Sequence, residues 1–101
     1  MTNRFKIAQE FANKINSKYI ERIILFGSVA RGEDNDDSDI DILIVSSNWE
    51  KIEPLIADEV YRVINENGEL ISAHIISEER FKTKQDYSFI STVLKEGVLI
   101  G

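Results

Sequence analysis

The sequence predicts an α/β protein of the α+β kind, a small mixed β-sheet with helices packed against it. Three observations carry this expectation. Apolar residues recur at helical spacing in three separate stretches, short β-branched runs lie between them, and the two periodicities interleave instead of segregating into halves.

Phe5, Ala8, Phe11, Ala12, Ile15 and Tyr19 step by three and four, which predicts a first helix over about Thr2 to Lys18. Arg22 to Phe26 is short, apolar and β-branched, and it stops at Gly27 as a buried strand stops before a turn. A helical turn fits Ser28 to Arg31, and Glu33 to Asp37 is polar enough to be a solvated surface loop. Ile40 to Val45 is the second strand. Trp49, Ile52, Leu55, Ile56, Val60, Val63 and Ile64 return to helical spacing, with Pro54 expected in the first turn or at a kink, and Asn67-Gly68 as the stop. Leu70 to Ile76 reads as the third strand, followed by Ser77 as an N-cap with Glu78 and Glu79 in the favourable first turn. Tyr87, Ile90 and Leu94 predict a last helix ending near Gly97, and Val98 to Ile100 a short edge strand. The expected order is helix, strand, strand, helix, strand, helix, strand.

A chain of 101 residues with 43% hydrophobic content predicts one compact domain over residues 1–101. The net charge of -6 argues against DNA or RNA as a partner, because binding a phosphate backbone by counterion release needs clustered Lys and Arg. Cysteine is absent, so disulfides, thiolate metal sites and Cys nucleophiles are excluded. Met1 to Glu10 has no apolar signal core, and no apolar run approaches the roughly 18 residues that span a bilayer. These features predict a soluble cytoplasmic protein without a membrane segment, and they leave a homo-oligomer open.

The chemistry concentrates in Gly27-Ser28-Val29-Ala30-Arg31-Gly32 and Ser38-Asp39-Ile40-Asp41. Residues two apart on a strand share a face, so Asp39 and Asp41 would present two carboxylates to one place, with Cα atoms roughly 7 Å apart. Hard divalent cations such as magnesium take such oxygen ligands and leave positions for water and substrate phosphates. Gly27 lets the backbone approach a ligand closely, and Ser28 offers a hydroxyl and amides at the start of a helical turn. Arg31 adds a fixed positive charge against phosphates. A phosphate-binding turn beside a cation-binding pair describes a pocket for a metal-bound nucleoside triphosphate.

The stretch GSVARGEDNDDSDIDILIV resembles the GSxxRG…SDxD signature of the DNA polymerase beta-like nucleotidyltransferases, and most resembles their minimal, single-domain branch. The ending Glu96-Gly97-Val98-Leu99-Ile100 is similar to that branch too. The resemblance implies the nucleotidyltransferase fold and transfer of a nucleoside monophosphate, AMP from ATP, to an acceptor hydroxyl, with release of pyrophosphate and help from two magnesium ions. It assigns Asp39 and Asp41 to metal binding and catalysis, and Gly27, Ser28, Arg31 and Ser38 to the nucleotide. It also implies a HEPN-type protein partner, adenylylated or bound as the toxin of a toxin-antitoxin pair.

Family members commonly carry a third carboxylate on the strand that here is Leu70 to Ile76, and no acid occupies its interior. Ser72 and His74 share one face of that strand and Glu69 at its start lies on the other, so each is a candidate for the missing group. His74, the one histidine, is read first as a strand histidine with a satisfied hydrogen bond and second as a general base. Ser28 has no serine-hydrolase context and is read as a phosphate contact. Trp49, Phe81, Tyr87 and Phe89 are read as core or interface and not as a base-stacking platform. The vacant acid position keeps a second function open, a binding module that neutralises its partner by contact.

Overall fold

The structure is a computed structural model that describes residues 3–84 and 87–101. Its helices and strands are α1 (Asn3–Ile15), β1 (Ile20–Phe26), α2 (Gly27–Arg31), β2 (Ile40–Ser46), α3 (Trp49–Asn67), β3 (Ile71–Ser77), α4 (Glu78–Thr83), α5 (Tyr87–Glu96) and β4 (Val98–Leu99). The strands form one sheet in the order β3-β2-β1-β4. β1 is antiparallel to β2 and to β4, and β2 is parallel to β3. The expected mixed sheet with packed helices is the observed fold.

Alternation along the strands sends side chains to two cores. Ile23, Leu25, Ile40, Ile42 and Ile44 pack with Ile7, Phe11 and Ile15 of α1 and with Ile52, Ile56 and Val63 of α3. Ile24, Phe26, Leu43 and Val45 point the other way and meet Phe81, Ile90 and Val93 of α4 and α5. The central strands β1 and β2 are thus covered on both faces, which is why their sequences read as near-continuous apolar runs.

Several boundaries differ from expectation. The predicted start of the first helix at Thr2 lies outside the described residues, and the helix ends at Ile15 instead of Lys18. Tyr19 keeps helical spacing by coincidence: the chain has already turned, with the Ile20 amide donating to the Ser17 carbonyl, and the Tyr19 carbonyl accepts from buried Ser46 Oγ at 2.8 Å. β1 begins two residues early, across a register shift between Ile20 and Arg22 that breaks its alternation. Pro54 sits in the second turn of α3, past the tolerant first turn, on an exposed face. The last helical region is two helices, because Lys84 takes a left-handed conformation at φ 54° and closes α4. Ser77 caps α4 as predicted, its hydroxyl accepting from the Arg80 amide at 3.1 Å.

Candidate functional site

β1 runs directly into α2 through Gly27, and the register sets Phe26 opposite Asp41 and Asp41 beside Ser72. Paired residues share a face, so Phe26, Asp41 and Ser72 form a row across three strands, on the side covered farther down by α4 and α5. Leu43 and His74 form the next row. The face of Ser72 and His74 is therefore the face of Asp41.

Gly27 is the hinge of this arrangement. It has φ 74°, and a Cβ there would overlap the Asp41 carboxylate and lie 3.1 Å from its Cγ. Only a residue without a side chain lets the turn touch that carboxylate while adopting a left-handed backbone. The amides of Ser28 and Val29 and the Ser28 hydroxyl make no hydrogen bond among the described residues, so their donors remain available at the start of α2.

Asp41 is half-buried, and burial pushes its carboxyl above the usual carboxylate range. The charges of Asp39 and Glu96 push the same way, while His74 and Arg31 oppose them. Phe26 is Asp41's cross-strand neighbour, and it meets Phe89 edge-on at 5.5 Å and His74 at 5.7 Å. The position gains free energy when a cation neutralises it.

Asp39 lies exposed just before β2 begins at Ile40, so the pair is not two residues of one strand as the spacing suggested. Its influence on Asp41 still places the two carboxylates within electrostatic reach. Ser38 serves the loop that delivers them: its hydroxyl accepts from the Asn35 amide at 2.9 Å, and its own amide donates to the Asn35 carbonyl. Arg31 donates from Nε to Glu33 at 3.1 Å and from Nη1 to Glu96 at 3.0 Å, and these two carboxylates hold its charge firmly.

Of the candidates for the vacant acid position, Ser72 stands nearest in register to Asp41, with its hydroxyl 3.3 Å from His74 Nε2. His74 is exposed and meets the Phe89 ring in a tilted arrangement at 5.6 Å. Glu69 is engaged elsewhere, accepting from Arg4 Nε at 2.8 Å. The acidic loop is less solvated than its composition suggested. Arg4 also pairs with Asp34, whose side chain is only 4% exposed, and donates to the Asn35 and Asp36 carbonyls. Phe81 is buried, as expected, whereas Trp49 and Tyr87 are 50% and 63% exposed and belong to neither core.

The chemistry of the donors fits a hard divalent cation: two carboxylates and a hydroxyl, all oxygen. No group of three or more His, Cys, Asp or Glu among the described residues is arranged to hold a metal, so a cation here would need oxygens from its substrate as well. No helix of the described residues is long and apolar enough to cross a membrane.

Comparison with known proteins identifies the family. The family model described as nucleotidyltransferase domain matches residues 6–100. A candidate protein adenylyltransferase of Methanocaldococcus jannaschii is 42% identical over 99 residues, covering 94% of this chain and 95% of that protein. Among solved structures, a candidate nucleotidyltransferase from Sulfolobus solfataricus superposes with a TM-score of 0.57 at 28% identity, covering 96% of this chain and 78% of its own. A candidate minimal nucleotidyltransferase gives 0.57 at 27% identity, with 95% and 87% covered. A toxin-antitoxin structure with AMP-PNP gives 0.65 at 17% identity, with 99% and 73% covered, a likeness of fold. With the family pattern running from residue 6 to residue 100 through this turn and these carboxylates, the chain belongs to the nucleotidyltransferase domain family.

Proposed function

We propose that this chain transfers AMP from ATP to an acceptor hydroxyl on a partner protein of the HEPN type, and so acts as an antitoxin. One observation carries the nucleotide part: the contact at Gly27 brings a turn with free amides against the Asp41 carboxylate. An anion-binding element and a cation-binding element thereby meet at one point, as a magnesium-bound triphosphate requires. The protein acceptor draws support from the Methanocaldococcus relative, described as a candidate protein adenylyltransferase. The HEPN partner and the antitoxin role rest on the likeness of the motif to minimal nucleotidyltransferases.

In the reaction the acceptor oxygen attacks the α-phosphorus, the bond from that phosphorus to the bridging oxygen of the β-phosphate breaks, and pyrophosphate leaves with the electron pair. The hydroxyl proton passes to solvent or to a neighbouring base. Asp39 and Asp41 would hold magnesium, which supplies positive charge to the phosphoryl oxygens when bound. Ser28 and the amides of its turn orient the β- and γ-phosphates, and Arg31 adds charge beside them. Ser72 and His74 lie on the edge strand β3, on the face of the sheet that carries Asp41, and the acceptor would approach there.

A second reading, a module that neutralises its partner by binding alone, is favoured by one observation: a serine and not an acid stands beside Asp41, at the place where the resemblance to the family implies a third carboxylate. Incubation with α-labelled ATP, magnesium and the product of the neighbouring gene as candidate partner separates the two. Label on the partner from the parent chain, lost in Asp39→Asn and Asp41→Asn, supports transfer. A stable complex without label supports the binding role.

A further inference from the structure

We propose that Glu96 is a positioning residue for the nucleotide turn, holding Gly27 and Arg31 so that a triphosphate meets a turn already formed; the proposal rests on the reading of the site given above. Glu96 closes α5, and its side chain is 20% exposed. One carboxylate oxygen accepts from the Gly27 amide at 3.1 Å and the other from Arg31 Nη1 at 3.0 Å. A single residue from the far end of the fold thus bridges the first and last positions of α2.

The strand register explains why a side-chain acceptor is needed there. β1 and β4 pair Ile24 with Leu99 and Leu25 with Val98, and continuing that register sets Gly27 opposite Glu96. β4 covers only Val98 and Leu99, so the Gly27 amide lies beyond the ladder and the Glu96 side chain supplies the missing acceptor. Gly97 makes this approach feasible, since a Cβ there would collide with the Val93 carbonyl and the Ile24 side chain. The carboxylate engages the turn from the β4 side and leaves the Ser28 and Val29 amides free. It completes the turn without occupying its phosphate-facing donors.

For Arg31 the effect is orientation. A side chain 40% exposed would ordinarily sample many rotamers, and ordering it on binding would cost affinity. Glu96 and Glu33 grip Nη1 and Nε, and Nη2 makes no hydrogen bond among the described residues. A guanidinium fixed in this way keeps donors for a phosphate oxygen without rearranging.

Glu96→Gln separates the two contacts, because its amide oxygen can still accept from Gly27 while the charge facing Arg31 is gone. We expect Kd and KM for magnesium-ATP to rise about two- to fivefold, the size of a half-exposed ion pair, with kcat and Tm held. In an Arg31→Ala background the same change should have no further effect. Glu96→Ala, which also strips the Gly27 acceptor, should add faster hydrogen exchange at the Gly27 amide. The proposal is overturned if Glu96→Gln binds magnesium-ATP like the parent chain, if it binds more tightly because the carboxylate competes with phosphate, or if the loss persists without Arg31. A parent chain that binds no magnesium-ATP overturns the reading of the site together with this proposal; binding by the parent with an unaltered Glu96→Gln overturns this proposal alone.

Discussion

Replacing Gly27 by alanine adds one methyl group at the point where the turn and the carboxylate touch. The added Cβ overlaps the Asp41 carboxylate and stands 3.1 Å from its Cγ and 3.2 Å from its Cβ, so rotating the carboxylate away relieves the overlap only in part. Holding a non-glycine residue at φ 74° costs about 1–2 kcal/mol, and driving Asp41 off its rotamer about 0.5–1.5 kcal/mol more. The sum, about 1.5–3.5 kcal/mol, corresponds to roughly 6–28 °C in Tm for a domain of this size. Urea unfolding of the parent, Gly27→Ala, Asp41→Ala and the double variant measures the parts separately. Without the Asp41 carboxylate the alanine should cost only its backbone strain. The reasoning fails if Gly27→Ala unfolds within about 0.5 kcal/mol of the parent, or if its cost is the same whether or not Asp41 is present.

Two further outcomes follow from the carboxylate row. Asp41 has a folded pKa raised from the ordinary 3.8, so its burden on stability is absent below that value and grows as pH rises through the folded pKa. Asp41→Asn should therefore stabilise the metal-free protein at about pH 7 and lose this advantage towards pH 4, as denaturation midpoints in chelator would record; an advantage that grows on acidification contradicts the assignment. Ser72→Asp places a third carboxylate beside Asp41 and should make thermal stability depend more strongly on magnesium, with faster transfer to the partner. A variant that gains neither in a magnesium thermal-shift series and a transfer assay removes Ser72 from the site.

The turn at Gly27 and the place of Asp41 on β2 were legible in the sequence because they lie within fifteen residues, from Gly27 to Asp41, and short spacings translate directly into strand faces and turn geometry. The sheet was legible for a similar reason, since burial of β1 and β2 on both faces leaves unbroken apolar runs. What spacing alone could not show is long-range. Glu96 reaches Gly27 across 69 positions, and Arg4 reaches Glu69 across 65, and neither pairing leaves a periodic signal. Asp34 looked like part of a solvated acidic run, and only the placement of α1 against that loop shows why it is nearly covered. Asp39 missed the strand by one residue, because β2 takes up its ladder only at Ile40, whose amide donates to the Leu70 carbonyl.

The bridge at Glu96 also sets the order in which the molecule can assemble. β1, α2 and β2 follow one another closely and can pair early, whereas the turn at Gly27 waits for a segment 69 residues downstream to return beside β1. Ile100 and Gly101 seal that return through bonds with the Ile23 backbone, and Gln9 of α1 donates to the Ile100 carbonyl at 2.8 Å. Such distant closures form late, since the entropy of closing a long loop must be met before its contacts can repay it. During synthesis the Gly27 amide therefore gains its Glu96 acceptor only when that downstream segment has docked beside β1.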